Sequence, residues 1–307
     1  MELEASARPA EVDPRVLAEV GNLAFRARIV ADSVLHGMHR SRHHGTSVEF
    51  AEHKEYAPGD NVRHLDWRAF ARLDRDYVKR YLDEAHIRAW LVVDTSASMG
   101  YRPEAPRATK LEYAKLCAGA LAYLLARQGD AVGLATFSER LSVEVPSRAR
   151  RGHLMEMLTR LEALSPNGET KLTSAIDSLV QGMSRRTIVL VLTDLFDAGD
   201  DALDAIARLA AKKHDVVLFQ LLDPDELQLP FEDHTEFASL EDDRVIAADP
   251  DSIRAAYLEE IERFLHEVES RARAARVEHH LLRTDRSPGA ALGSFLSRRM
   301  AQRTSAR

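Results

Sequence analysis

Two periods of apolar spacing alternate along this chain, and their order sketches a fold. From Pro14 to about Met38 apolar residues recur at helical spacing, with Val16, Val20, Leu23 and Ile29 on one side. A polar basic stretch, His39 to Gly45, breaks that pattern. Ser47 to Tyr56 alternates Val48, Phe50 and Tyr56 with charged residues, as an exposed strand does, and Tyr56-Ala57-Pro58-Gly59-Asp60 has turn chemistry. Trp90 to Val93 is a continuous apolar run closing on Asp94, the signature of a strand buried on both faces of a parallel sheet. Thr109-Lys110-Leu111-Glu112 forms a capping box, so a helix is predicted from there to about Gln128. Ala131 to Phe137 reads as a strand, and Leu141, Val143 and Val145 alternate as an antiparallel edge strand would. Helices follow at Leu154 to Leu164 and Leu172 to Met183, around the loop Ser165-Pro166-Asn167-Gly168.

Thr187 to Leu192 is the most apolar strand candidate, and it too runs into an aspartate, Asp194. Ala202 to Lys213 predicts a helix and Val216 to Leu222 a strand, followed by a polar stretch with short β signals from Pro224 to Ala248. Asp249 to Arg276 predicts a long helix with Leu258, Ile261, Leu265 and Val268 as its buried stripe. His279 to Arg283 reads as a last strand and Ala290 to Met300 as a last helix. Alternation of strands and helices at these lengths predicts an α/β fold: a doubly wound, mostly parallel, Rossmann-type sheet with right-handed crossovers. The chain divides into an N-terminal helix and β extension, residues 1–75, and a main domain, residues 76–307.

Composition narrows the function classes. Apolar residues make up 45% and charged residues 30% of the 307, as in a globular protein. A formal charge of -7 argues against a general nucleic-acid binder. One cysteine, Cys117, excludes an intramolecular disulfide framework and a multi-cysteine zinc site. No apolar run approaches the roughly 18 residues that span a bilayer, and the polar, acidic N-terminus does not read as a signal peptide. The location expected from these features is the cytoplasm.

Three polar clusters fall where strands should end: Asp94-Thr95-Ser96-Ala97-Ser98, Gly168-Glu169-Thr170-Lys171-Leu172, and Thr193-Asp194. Loops at the carboxyl ends of parallel strands converge on one crevice, so clusters distant in sequence can meet there. Two carboxylates and three hydroxyls are hard oxygen donors, suited to Mg²⁺, Mn²⁺ or Ca²⁺ rather than soft metals. With only two acids, the ion would keep waters and accept a further oxygen ligand, above all a carboxylate from a partner.

Asp94-x-Ser96-x-Ser98, then Thr170, then Asp194 resembles the metal-ion-dependent adhesion site of von Willebrand A domains. The resemblance implies one divalent cation, Mg²⁺ with Mn²⁺ as the other candidate, held by Asp94, Ser96, Ser98, Thr170 and Asp194. It further implies that a partner's acidic residue completes the shell. One departure is that many such domains have Thr-Asp-Gly where this chain has Thr193-Asp194-Leu195; the stiffer loop favours contact of Asp194 through water over direct ligation. Lys54-Glu55-Tyr56-Ala57-Pro58-Gly59-Asp60, with Arg63-x-x-Asp66-Trp67-Arg68, is similar to the signature of the bacterial family called domain of unknown function 58. That family carries the segment at 54–68 just before a von Willebrand A-like domain and tends to accompany MoxR-type AAA+ ATPases. The implied role is a Mg-dependent protein-binding module that works with such an ATPase on the assembly or maturation of a client protein.

Other motifs have plainer readings. Basic and aromatic residues interleave from Lys54 to Arg80, but Glu55, Asp60, Asp66, Asp74 and Asp76 nearly balance the charge, which favours an ion-pair network or a protein-docking face over nucleic acid. His43-His44 and His279-His280 read as solvated, Cys117 as a buried inert thiol, and the arginines at 298, 299, 303 and 307 as a solvated helix end and tail. Three enzyme classes lack their motifs. Ser96 stands where a haloacid dehalogenase-type phosphatase has its second aspartate, and neither a phosphate loop nor a nucleophile elbow occurs. Metal-dependent hydrolysis remains as the alternative to binding, and a structural domain with an empty site as the other.

Overall fold

Helix α1, Leu23–Arg42, opens the described part of the computed structural model, which covers residues 22–42, 53–55, 77–79, 87–102, 107–150, 152–183, 186–196, 199–232 and 234–305. The helix runs on past the break expected at His39. Its buried residues are Leu23, Ala27, Val30, Ala31 and Val34, while Ile29 is only half-buried. These positions follow the i, i+4, i+7, i+8 rule of one helix face; two of the five are alanines, which a search for large apolar residues passes over. Residues before Asn22 lie outside the described part, as do His43-His44 and most of the segment at 54–68.

Contacts divide the chain into two units. One, Met38–His86, contains β1, His53–Glu55, and β2, Tyr77–Lys79, paired antiparallel with Lys54 opposite Val78. Within the expected strand from Ser47 to Tyr56, the described residues show only these three paired.

The other unit contains α1 as far as Gly37 and the chain from Ile87 onward. Its elements are β3 (Arg88–Asp94), a 3₁₀ turn (Ala97–Gly100), α2 (Lys110–Arg127), β4 (Ala131–Phe137), β5 (Leu141–Arg148), α3 (His153–Ala163) and α4 (Leu172–Gly182). They continue with β6 (Thr187–Thr193), α5 (Gly199–Ala211), β7 (Asp215–Leu222), α6 (Pro224–Gln228), β8 (Thr235–Ala238), β9 (Val245–Ala248), α7 (Pro250–Ala274), β10 (Glu278–Arg283) and α8 (Pro288–Ser305). Six strands form one sheet in the order β10-β7-β6-β3-β4-β5, all parallel except β5, which lies antiparallel to β4 at the edge. The fold is therefore the doubly wound, mostly parallel α/β class expected from the alternation, and the apolar runs at β3, β6 and β7 are its central strands.

Burial on both faces explains those runs. Trp90, Val92, Val189, Val191, Val216 and Leu218 join one core with Leu172 and Ile176 of α4, Ala205 and Leu209 of α5, and Val268 and Ala272 of α7. Alternate residues Leu91 and Val93 are equally buried, as the period-two geometry of a strand between two helix layers requires. Helices α1, α2 and α3 meet closely at Gly119, where an added Cβ would stand 2.9 Å from Ala27 Cβ and 3.1 Å from a Leu158 methyl. The capping box at the start of α2 is present: Thr109 Oγ1 accepts from Glu112 N (3.1 Å) and Glu112 Oε2 accepts from Thr109 N (2.8 Å). Helix α7 buries Ile261, Val268 and Ala272, but Leu258 is exposed and Leu265 half-buried, so its seam is narrower than the expected stripe. Among the described residues, no helix is long and apolar enough to cross a membrane.

Candidate functional site

The strand order decides where a site can sit. From β3 the chain goes to β4 and β5 on one side, then returns to lay down β6, β7 and β10 on the other. The switch point is between β3 and β6, and the crevice beyond their carboxyl ends is where ligands of such sheets bind. Asp94 is the last residue of β3; Thr193 is the last residue of β6, with Asp194 next to it.

Backbone hydrogen bonds knit the first two loops together. Thr95 N and Oγ1 both donate to Phe137 O, at 2.8 and 3.0 Å, tying the first loop to the end of β4. Ala97 N donates to Gly168 O (2.9 Å) and Asn167 N to Thr95 O (2.7 Å), which joins it to the second. Gly168 has φ +77°, a conformation that glycine adopts at little steric cost. An added Cβ there would also come within 3.2 Å of the Glu139 side chain.

Asp94 ties the first loop to the third. Its Oδ1 accepts from Ser96 N (2.9 Å) and its Oδ2 from Thr193 Oγ1 (2.6 Å). The side chain is fully buried. Burial first, and the charge of Asp194 second, push its carboxyl up to about 7, against the opposing hydrogen bonds from Thr193 and Ser96. Ser96 and Ser98 place their hydroxyl oxygens 3.0 Å apart and in hydrogen bond.

Asp194 lies at the same strand ends but already has a counter-charge. Its Oδ2 accepts from Lys110 Nζ at 2.7 Å and its Oδ1 from Phe196 N at 3.0 Å. Lys110 is 1% exposed; its ammonium also donates to Glu226 Oε1 (2.5 Å) and stands 4.9 Å from the centre of the Phe196 ring. Burial acts to lower the Lys110 pKa, but the charges of Asp194 and Glu226 outweigh it and raise it, so the group stays protonated. Leu195, the residue after Asp194, has φ +62°. The loop keeps a glycine-like bend on a residue whose Cβ resists it, and the Leu195 side chain is buried in the core.

Thr170, in the second loop, is held from a distant part of the chain. Its Oγ1 donates to Glu241 Oε1 (2.8 Å) and its N–H to Glu241 Oε2 (3.0 Å), across 71 residues. The structure thus links Asp94, Ser96, Ser98 and Thr193 directly, places Asp194 beside Asp94, and puts Thr170 in the adjoining loop under Glu241. Sequence reasoning missed Lys110 and Glu241. A lysine in the first turn of a helix, where the dipole disfavours a cation, was a signal for the first. Glu241 is one acid among several in a polar stretch and carried none.

The remaining candidates resolve plainly. Cys117 is fully buried, and burial pushes its thiol well above its ordinary value. His279 and His280, expected to be solvated, are half-buried on β10. His279 Nε2 lies 3.0 Å from Gln220 Oε1, and His280 lies 2.9 Å from Glu278 Oε1 with its ring stacked on Phe219 at 5.6 Å. Strand pairing with β7 carried them inward. Among the described residues no group of three or more histidines, cysteines or acids is placed to hold a metal.

The model of the family described as "Protein of unknown function DUF58" matches residues 52–267. The uncharacterized protein Rv1480 of Mycobacterium tuberculosis is 30% identical over 221 residues, covering 71% of this chain and 68% of that protein. Among solved structures, the conserved hypothetical protein BatB from Bacteroides thetaiotaomicron matches at TM-score 0.47 and 19% identity, over 70% of this chain and 99% of its own. The SpRpn10 VWA domain matches at TM-score 0.42 and 10% identity, over 66% and 92%. With the family model spanning well over half of its length, this chain belongs to the DUF58 family of proteins of unknown function.

Proposed function

We propose that this chain is a protein-binding module that holds one divalent cation, Mg²⁺ or Mn²⁺, at the ends of β3 and β6 and captures through it an acidic side chain of a partner. The observation that carries this reading is the contrast between two buried aspartates: Asp194 is neutralised by Lys110, whereas Asp94 has no cationic partner among the described residues. A buried carboxylate without counter-charge is costly, and a divalent ion would relieve that cost.

The donor chemistry fits. All candidate ligands are hard oxygens. Adjacent ligands of an octahedral ion at about 2.1 Å lie about 3 Å from each other, and the Ser96 and Ser98 hydroxyls have that spacing, 3.0 Å. Ser96, Ser98 and Thr170 would hold the ion and Asp94 would neutralise it. Asp194, already engaged by Lys110, would act through water. When bound, the ion supplies a positive centre with open positions for a carboxylate.

The resemblance to proteins that accompany MoxR-type AAA+ ATPases makes such an ATPase, or a client the pair matures, the partner we favour. That partnership would place the module in the cytoplasm, where ATP is available.

Thermal unfolding of wild type and Asp94→Ala, in EDTA and across Mg²⁺ and Mn²⁺ titrations, tests the site, because a ligand of the native state stabilises it by RT ln(1 + [L]/Kd). Wild type should shift upward and the variant should not. Equal shifts in both would remove Asp94 from the site. Turnover of an added phosphoester that depends on both Mg²⁺ and Asp94 would favour the hydrolase alternative.

A further inference from the structure

The segment from Ser239 to Arg244 joins β8 to β9 and is tied into a fixed turn. Ser239 N donates to Arg244 O (2.8 Å), Ser239 Oγ accepts from Glu241 N (3.3 Å) and Asp242 N (3.2 Å), and Arg244 pairs with Asp242. Out of this turn Glu241 reaches the second loop, and both of its carboxylate oxygens are spent on one residue there, Thr170. The turn's apolar neighbours make no core of their own: Leu240 is 51%, Val245 59% and Ile246 64% exposed. The hairpin therefore touches Thr170 through a charged contact; its Phe237 packs edge-on against Phe231, while Leu240, Val245 and Ile246 are left to solvent.

We propose that Glu241 is a built-in acidic ligand of the cation site, a stand-in from the same chain for the carboxylate a partner would bring. The inference rests on the cation site put forward above. Glu241 Oε1 lies 2.8 Å from Thr170 Oγ1, close to the roughly 3 Å that separates adjacent oxygens around a small divalent ion. A carboxylate at this position has the oxygen spacing to share an ion with the threonine hydroxyl. It also satisfies the Thr170 N–H, which a hydroxyl ligand of the ion cannot do for itself. A partner's acidic side chain must then displace Glu241, and displacement would free a hairpin that already exposes Leu240, Val245 and Ile246. The site is closed by its own chain until a stronger carboxylate arrives.

Mn²⁺ is the probe that reads ligand and water together. The full chain, as wild type, Glu241→Gln, Asp94→Asn and Ser98→Ala, is titrated with Mn²⁺ by electron paramagnetic resonance, and water-proton relaxivity of the bound ion is recorded. Circular dichroism confirms that each variant is folded. Glu241→Gln should weaken Mn²⁺ binding by roughly tenfold or more, as loss of a carboxylate does, and raise relaxivity by the contribution of one added water. Acetate should lower relaxivity in Glu241→Gln and leave wild type unchanged. If Glu241→Gln matches wild type in both affinity and relaxivity while Ser98→Ala loses binding, Glu241 is only a clasp on the second loop and the inference falls alone. If Asp94→Asn and Ser98→Ala both bind Mn²⁺ as wild type does, the cation site falls and the inference with it.

Discussion

Lys110 Nζ stands 2.7 Å from Asp194 Oδ2 in a site where both side chains are almost fully buried. This ion pair joins the first turn of α2 to the end of β6 and, through Glu226, to the start of α6. It divides the labour between the two aspartates: one is locked into the fold by an ammonium, and the other faces the hydroxyl pair of Ser96 and Ser98.

Removing the ammonium should therefore cost stability rather than merely loosen the loop. Lys110→Met leaves Asp194 and Glu226 without their shared cation, and breaking a buried pair from one side costs about 3–5 kcal/mol. Urea unfolding in EDTA measures it. A change below about 1 kcal/mol, the scale of an exposed ion pair, would mean that water reaches the pair.

Leu195 carries two opposed contributions, and two substitutions separate them. Its positive φ costs about 1 kcal/mol or more in a residue with a Cβ, whereas its burial stabilises as a core leucine does. Leu195→Gly loses the side chain but relieves the strain; Leu195→Ala loses nearly as much side chain and keeps it. The glycine variant should be the more stable by about 1 kcal/mol, the reverse of the usual order. Urea midpoints of the two variants decide it, and an alanine variant that is equal or better would show that the bend is unstrained.

His279 sets a pH dependence away from the candidate site. Burial first, and the neighbouring His280 second, lower its pKa below the ordinary 6.5, with Glu269 opposing. As pH falls through 6.5 the unfolded chain takes up a proton that the folded chain refuses, so stability present above that pH is lost on the acid side. His279→Gln keeps a polar partner for Gln220 and removes the titration. Between pH 7.5 and 5 it should lose less stability than wild type, and parallel losses would sink the assignment.

Gly133 of β4 tests the packing under the site. An added Cβ there would stand 2.8 Å from the Trp90 ring and 2.9 Å from Ser147 N. Neither a core ring nor a backbone amide can easily move, so Gly133→Ala should destabilise by about 1–3 kcal/mol as overpacking does. Unchanged thermal unfolding would mean that β5 yields.

Much of this protein was legible in its sequence, because the relevant information is local. Period-two and period-3.6 spacing located the strands and helices. Continuous apolar runs marked β3, β6 and β7 as central, and Thr109-x-x-Glu112 marked the start of α2. Asp94, Ser96, Ser98, Thr170 and Asp194 stood out because they follow strands or open a helix. Where the reading slipped, at Ile29 and Leu258, the pattern was right in kind, but which flank is covered depends on what packs against it.

Tertiary structure alone decided the rest. Strand order puts the switch point between β3 and β6, and pairing energies that no local period encodes set that order. The partners of the site came from 84 residues away for Lys110 and Asp194 and 71 for Glu241 and Thr170. Such contacts depend on where the folded chain brings two charged ends together, and a lysine or glutamate looks the same in sequence whether it faces water or a buried aspartate. The left-handed bend at Leu195 belongs to the same class, since only the surrounding fold can hold a leucine in a conformation its own sterics disfavour.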